Sequence, residues 1–174
     1  MKGVGLMKRK HPSLYLFFSL IMIILVSMTT FAEADLRVAI QEDDLVTLQN
    51  LIAAGADVNN RDGSGTTPLM FAVKHSTNPE VIRILSKAGA DINARNVIGQ
   101  TALMIAAEYN GNSDVISILT SVGADVNAQN DNDWTPLVYA TWFNDNLEVI
   151  KALINAGADV NVRDKKEANV LMFA

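Results

Sequence analysis

The chain has 174 residues, of which 49% are hydrophobic and 19% are charged, a composition that excludes a disordered or fibrous protein. Cysteine is absent, which excludes disulfides, thiolate metal sites and thiol catalysis. The formal charge of −5 offers no basic surface to a phosphate backbone, so we do not expect nucleic acid as a partner.

Residues 1–34 combine a basic head, an apolar run from Leu14 to Met28 and a small-residue end. This order is typical of a secretory signal peptide, and cleavage could follow Ala32 or Ala34. The alternative is an uncleaved membrane anchor, because the run extended to Ala32 has 19 residues, close to the roughly 20 that span a bilayer. In both cases we expect an exported protein, periplasmic or secreted, that meets a membrane only if the segment is retained. Cleavage would leave 10 basic and 18 acidic residues, a formal charge of −8.

Residues 35–62 predict two short antiparallel helices, because apolar residues recur there at helical spacing. Asp44 is placed to cap the second helix, and Gly55 is placed to end it in a left-handed conformation. The opening helix is more polar than its counterparts further along the chain. That polarity suits an N-terminal capping repeat, which has water on one side.

From residue 63 onward the sequence repeats with a period of 34 residues. The pattern Gly-Ala-Asp-[Val/Ile]-Asn, an opening of the type Thr-Pro-Leu and an Asn-containing segment between them all keep that interval, which predicts a repeat architecture. The predicted units are full repeats at 63–96, 97–130 and 131–164, and the start of a truncated repeat at 165–174. Since the last of these lacks a second helix, we expect the chain to be a fragment of a longer array; the alternative is that its last residues fray.

The sequence pattern of each full unit predicts two helices and a protruding, hairpin-like turn. In the first one, Thr67 is placed to cap a helix, and Asn78 is placed to cap another that begins with a proline. Gly89 is expected to end the second helix. The alternation after it suggests a short extended segment with Ile92 directed inward. The tips of these turns differ most between units, so they are free to specialise.

This unit, with Thr-Pro-Leu and Gly-Ala-Asp-Val-Asn, resembles the ankyrin repeat from about Asp35 to the end of the chain. The resemblance implies an all-α solenoid of stacked helix-turn-helix units joined by short β-hairpin-like turns, and with the signal peptide it suggests a bacterial exported type. The period exceeds the family's usual value of about 33 by one residue, which lies between the two helices. The family's usual His after Thr-Pro-Leu is replaced by apolar residues, so we expect apolar packing instead of a Thr–imidazole hydrogen bond. The replacing residues are Met70, Met104, Val138 and Met172.

Ankyrin domains generally bind proteins through the hairpin tips and the concave face of the first helices, so the resemblance implies a protein partner of unknown identity. The aromatic residues of the unit 131–164 are favoured interface anchors, because such side chains bury much area at little entropic cost. The alternative for these aromatics, strongest for Tyr139 and Phe143, is packing between neighbouring units. The other concave positions are Thr66, Phe71, Lys74, His75, Ile105 and Glu108. The candidate partner-binding residues are Trp134, Trp142, Tyr139 and Phe143, with Tyr109 and Gln100 beside them and Val97, Ile98, Asp131 and Asn132 at the tips.

Catalysis, metal binding and a cofactor are not predicted. His75 is the one histidine after residue 34, and no nucleophile motif accompanies it. The acidic tip at residues 131–133 lacks the glycine of a calcium loop and is better interpreted as a polar turn. The sequence therefore predicts a non-enzymatic scaffold. The alternatives are an auxiliary or inhibitory subunit that covers an exported enzyme through an acidic concave face, and a membrane-tethered form of the same module.

Overall fold

The computed structural model describes residues 36–162. The predicted signal peptide, the truncated repeat and Met172 therefore lie outside the described residues. Within them the chain forms helices that follow one another in pairs, and no strand is present between residues 36 and 162. The helices are α1 (residues 36–41), α2 (Leu45–Ala53), α3 (Pro68–His75), α4 (Pro79–Lys87), α5 (Ala102–Tyr109), α6 (Ser113–Ser121), α7 (Pro136–Phe143) and α8 (Leu147–Asn155).

The pairs stack side by side in two layers. The first helices of successive units pack on each other, α3 on α5 and α5 on α7, and the second helices do the same, α4 on α6 and α6 on α8. In the three full units the first helix also packs on the second, α3 on α4, α5 on α6 and α7 on α8. The predicted all-α solenoid of helix-turn-helix units is therefore confirmed.

The helices begin and end at the residues that the sequence marks. The Thr67 hydroxyl accepts a hydrogen bond from the Met70 amide at 3.3 Å, and the Asn78 side chain accepts one from the Glu80 amide at 3.0 Å. Each bond satisfies an amide that has no partner inside the helix. Gly89 follows α4 with φ of +90°, a left-handed conformation that stops the helix.

The core runs between the two layers and is almost entirely aliphatic. Met70, Met104 and Val138 are 1%, 0% and 4% exposed, so apolar packing does replace the expected imidazole, as predicted. The side chain of Met172 is not described. Burying each such side chain contributes about 1.5–3 kcal/mol. The core therefore extends without interruption from unit to unit, as a stacked repeat requires.

A side-chain oxygen closes each of the hairpin-like turns. Asn96 Oδ1 accepts hydrogen bonds from the Ile98 and Gln100 amides at 3.1 and 2.9 Å, while the Asn96 amide donates to the Gln100 carbonyl at 3.0 Å. Asp62 and Asn130 do the same one unit before and one unit after. The prediction of an extended segment just before these turns was wrong. Residues 92–93 form a turn instead, because Asp91 Oδ1 accepts from the Asn93 amide, and Ile92 is only partly buried.

Asparagines also link neighbouring units through their amide side chains. Asn93 Nδ2 donates to the Gly123 carbonyl at 2.9 Å, and Asn93 Oδ1 accepts from the Asp125 amide at 2.9 Å. Asn59 and Asn127 make the same pair of bonds to the unit that follows each of them. This ladder explains the last residue of the Gly-Ala-Asp-[Val/Ile]-Asn pattern.

A second ladder occupies the segment between the two helices, where the additional residue of the 34-residue period lies. Asn110 is 3% exposed, and its Nδ2 donates to the Val73 and Ser76 carbonyls at 2.8 and 3.0 Å. Asn144 donates in the same way to the unit before it. Since Asn112 also bonds back to the Thr77 carbonyl, the longer connection joins units as well as helices.

Candidate partner-binding face

The first helices and the residues just before them present side chains in rows, because equivalent positions recur every 34 residues. We call this surface the inner face. One row is Lys74, Glu108 and Trp142, and the row beside it is His75, Tyr109 and Phe143. The further rows are Thr66, Gln100 and Trp134, and Arg37, Phe71, Ile105 and Tyr139. The rows change in chemistry along the stack, from charged and polar residues to aromatic ones.

Four aromatic rings of α7 and the turn before it form what we call the aromatic cluster. Trp134 stacks on Trp142 with ring centroids 5.7 Å apart, and Phe143 lies 6.1 and 6.2 Å from these two rings. Trp142 is 46% exposed and Phe143 is 50% exposed. The structure therefore brings together the four aromatics that the sequence selected and leaves two of them open to solvent.

Tyr139 has a different environment from the other three. Its side chain is 5% exposed and lies edge-on to Trp134, with ring centroids 5.5 Å apart. Its hydroxyl accepts hydrogen bonds from Gln100 Nε2 at 3.0 Å and from Asn130 Nδ2 at 2.8 Å. Burial raises the pKa of Tyr139, although these two donors oppose the rise. Tyr139 packs between units, which is the alternative that the sequence left open. Its ring also contacts the ring of Trp134.

A cleft of about 310 Å³ lies on the inner face, between the units that contain Phe71 and Ile105. The Arg37 guanidinium lies over the Phe71 ring at 5.0 Å from its centroid, and His75 packs against the same ring at 4.3 Å. The Lys74 ammonium lies 4.2 Å from the centroid of the Tyr109 ring. The cleft therefore combines two cations with an aromatic and aliphatic wall.

The carboxylate of Asp62 holds Arg37 at the edge of this cleft. Arg37 Nη2 lies 2.9 Å from Asp62 Oδ2, and both side chains are about one-third exposed. Burial opposes the ionisation of Asp62, but hydrogen bonds from Ser64, Thr66 and Arg37 outweigh it and hold the pKa of Asp62 well below its usual range. Asp62 is therefore ionised, and Arg37 is its partner. Among the ion pairs of residues 36–162 none includes Lys74.

A polar bridge separates the cleft from the aromatic cluster. Gln100 Nε2 lies 3.4 Å from Glu108 Oε2 and also donates to the Tyr139 hydroxyl. The hydrogen bond with Glu108 raises the pKa of Tyr109, as do burial and the charge of that carboxylate. Glu108 therefore has hydrogen-bond partners in both Gln100 and Tyr109. Tyr109 belongs to the cleft, because Lys74 covers its ring, and within residues 36–162 it makes no ring contact with the aromatic cluster.

The tips of the hairpin-like turns differ in chemistry from unit to unit. Val97 and Ile98 are 67% and 51% exposed, so the tip of this unit is apolar. Its backbone joins the neighbouring tips, since the Val97 amide donates to the Ser64 carbonyl and the Asp131 amide donates to the Ile98 carbonyl. Asp131 and Asn132 are exposed, and Asp131 lies 4.0 Å from the Arg95 guanidinium. The tips form one connected edge rather than independent loops.

The remaining chemistry of the inner face is limited in the described part of the chain. No group of three or more His, Asp or Glu side chains in residues 36–162 is placed to hold a metal ion. Over the same residues, no helix is both long and apolar enough to cross a bilayer. His75 contacts an aromatic ring, and no hydroxyl nucleophile is hydrogen-bonded to it among the described residues.

Sequence reasoning missed Arg37 and Asp62 as members of this face. Both follow from the 34-residue register, because Arg37 precedes Phe71 by one period and Asp62 precedes Asn96 by one period. The register is harder to recognise in the capping unit, because its opening motif differs. The expectation of an acidic concave face was also wrong for the cleft, since Arg37 and Lys74 line it together with Asp62.

Comparison with known proteins identifies the repeat. A family model described as ankyrin repeats (3 copies) matches residues 36–130 and 78–164, well over half of the chain. A search of curated proteins found no match. Ankyrin repeats are generally protein–protein interaction modules and are typically non-catalytic, and the exposed rings of the inner face suit an interaction module. The chain belongs to the ankyrin-repeat family.

Proposed function

We propose that this protein is an exported, non-enzymatic scaffold that binds another protein through its inner face, with the aromatic cluster as the main anchor. The observation that supports the proposal most is the exposure of Trp142 and Phe143, at 46% and 50%, within a packed group of four rings. Exposed aromatic residues held rigidly by their neighbours lose little entropy on binding, and they dominate many protein interfaces.

The way in which the units are joined supports this proposal for the inner face. The side chains that join units include asparagines bonded to backbone groups, and these asparagines lie at the turns and helix connections. Trp142 and Phe143 are not part of either ladder. A partner can bury the apolar area that these two side chains expose.

Export rests on the composition of residues 1–34, with its basic head, apolar run and small-residue end. N-terminal sequencing of the protein from a periplasmic or extracellular fraction tests it, and a start at residue 33 or 35 is the expected result. An intact N-terminus in a carbonate-resistant membrane fraction would instead show the tethered form.

Partner binding is tested by the double variant Trp142→Ala/Phe143→Ala. Each protein is immobilised and incubated with the exported fraction. We expect the double variant to capture at least tenfold less partner than the wild type. The matched control is Val46→Ala, which also truncates an exposed apolar side chain, 67% exposed, but on α2. Equal retention by all three proteins would show that the aromatic cluster is not the anchor.

A further inference from the structure

The inner face has two chemically different ends at a fixed separation. Lys74 and Trp142 occupy the same register position two units apart, with Glu108 between them. Neighbouring packed helices lie about 8–10 Å apart, so the Cα atoms of Lys74 and Trp142 are about 16–20 Å apart along the face. An extended peptide rises about 3.3 Å per residue and covers that distance in about five or six residues.

The cleft end is suited to a carboxylate. Within residues 36–162, Asp62 pairs with Arg37, while Lys74 contacts the Tyr109 ring and no carboxylate. The volume of about 310 Å³ accepts a side chain, and its wall of Phe71 and Ile105 reduces the screening of a charge placed beside Lys74. An acidic side chain here completes a pairing that residues 36–162 leave open.

The middle of the face disfavours a second acid. Glu108 presents a carboxylate there, and Gln100 and Tyr109 already donate to it. A partner carboxylate above it would meet a like charge without a free donor from these two residues. A polar or basic residue is compatible with this position.

We propose that the inner face binds an extended peptide segment carrying an Asp or Glu and, five or six residues away, a large apolar side chain, with no acidic residue midway. The carboxylate enters the cleft beside Lys74, and the apolar side chain packs on Trp142 and Phe143. This inference rests on the proposed function and adds the chemistry and spacing of the partner.

The test is a selection of random twelve-residue displayed peptides on the immobilised full chain, followed by fluorescence anisotropy of labelled peptides. We expect an acidic residue at the stated spacing from an aromatic or leucine residue. Replacing that acid by its amide should weaken binding to the wild type at least tenfold. With Lys74→Glu the preference for the acid should disappear, whereas Lys87→Glu, the same charge change on α4, should keep it.

The outcomes separate this inference from the proposed function. One outcome is the selection of apolar peptides that have no acid at the stated spacing. If Trp142→Ala/Phe143→Ala no longer binds them but Lys74→Glu binds them as well as the wild type does, the inference is overturned and the aromatic anchor stands. If the selected peptides bind all three variants as tightly as the wild type, or if no peptide is enriched, the result counts against both the inference and the proposed function. Since Trp134 and Trp142 are the only tryptophans, a change in tryptophan emission on binding reports directly on occupancy of the aromatic cluster.

Discussion

The asparagine ladders and the inner face differ in what repeats. At the ladder positions the same residue type makes the same bonds in successive units, as Asn59, Asn93 and Asn127 do. On the inner face the equivalent positions Lys74, Glu108 and Trp142 have nothing in common. Stacking requires identical contacts at each step, whereas recognition requires different ones. On the proposed function the two tasks are divided between different residues, and substitutions should separate them.

The largest loss of stability is expected from Asn110→Ala. The side chain is 3% exposed, and its removal leaves the Val73 and Ser76 carbonyls without their donor. Each unsatisfied buried group costs about 1–3 kcal/mol, so we expect a loss of about 3 kcal/mol in the free energy of unfolding. Urea denaturation followed by circular dichroism measures it. Asn132→Ala at an exposed tip is the control, and an equal effect of the two substitutions would contradict the ladder.

Gly99→Ala should come next. Gly99 has φ of +74°, and an added Cβ would lie 2.9 Å from the Asp131 backbone nitrogen. We expect about 2 kcal/mol of destabilisation, from the left-handed conformation and from displacement of the neighbouring tip. Gly55→Ala has the same conformational cost but open space around the new Cβ, so it should lose less. If Gly55→Ala destabilised more in the same denaturation assay, contact between the tips would not be the cause.

Asn93→Ala should have a smaller effect than Asn110→Ala, because water can replace bonds at an exposed site. It removes one bond to the Gly123 carbonyl and one from the Asp125 amide, which together contribute about 1 kcal/mol. Asn132 is exposed at a tip and bonds to Asn130 through its backbone amide. Thermal unfolding of Asn132→Ala should therefore show a smaller shift, and an equal or larger one would be inconsistent with inter-unit bonding.

The smallest effect is expected from Asp62→Asn, and it depends on pH. Because the folded-state pKa of Asp62 is lowered, its ionised form stabilises the fold above the ordinary value of 3.8, and that contribution is lost as the pH falls below it. Asp62→Asn should cost less than about 1 kcal/mol at pH 7, since the pair is partly exposed. Measured against wild type over pH 2–7, the difference should shrink toward the acidic end, and a constant difference would exclude the charge of Asp62 as its source.

Much of this fold followed from periodicity alone. The 34-residue interval, the Thr and Asn caps and the terminating glycines specify helices whose bounds depend on local bonds. The ladders did not follow, because a sequence does not show that an Asn side chain reaches a carbonyl 30 residues away. The aromatic cluster could be predicted from one unit, whereas the cleft could not, since Arg37 and Lys74 come from different units and meet only after stacking.

The most direct test of the division between framework and recognition is the retention of partner by Trp142→Ala/Phe143→Ala, recorded on the same preparation as its melting curve. We predict that retention falls at least tenfold while the melting temperature stays within about 2 °C of wild type, a shift of less than about 1 kcal/mol. A melting temperature lowered by about 6 °C or more would assign the exposed rings to the framework and contradict the account.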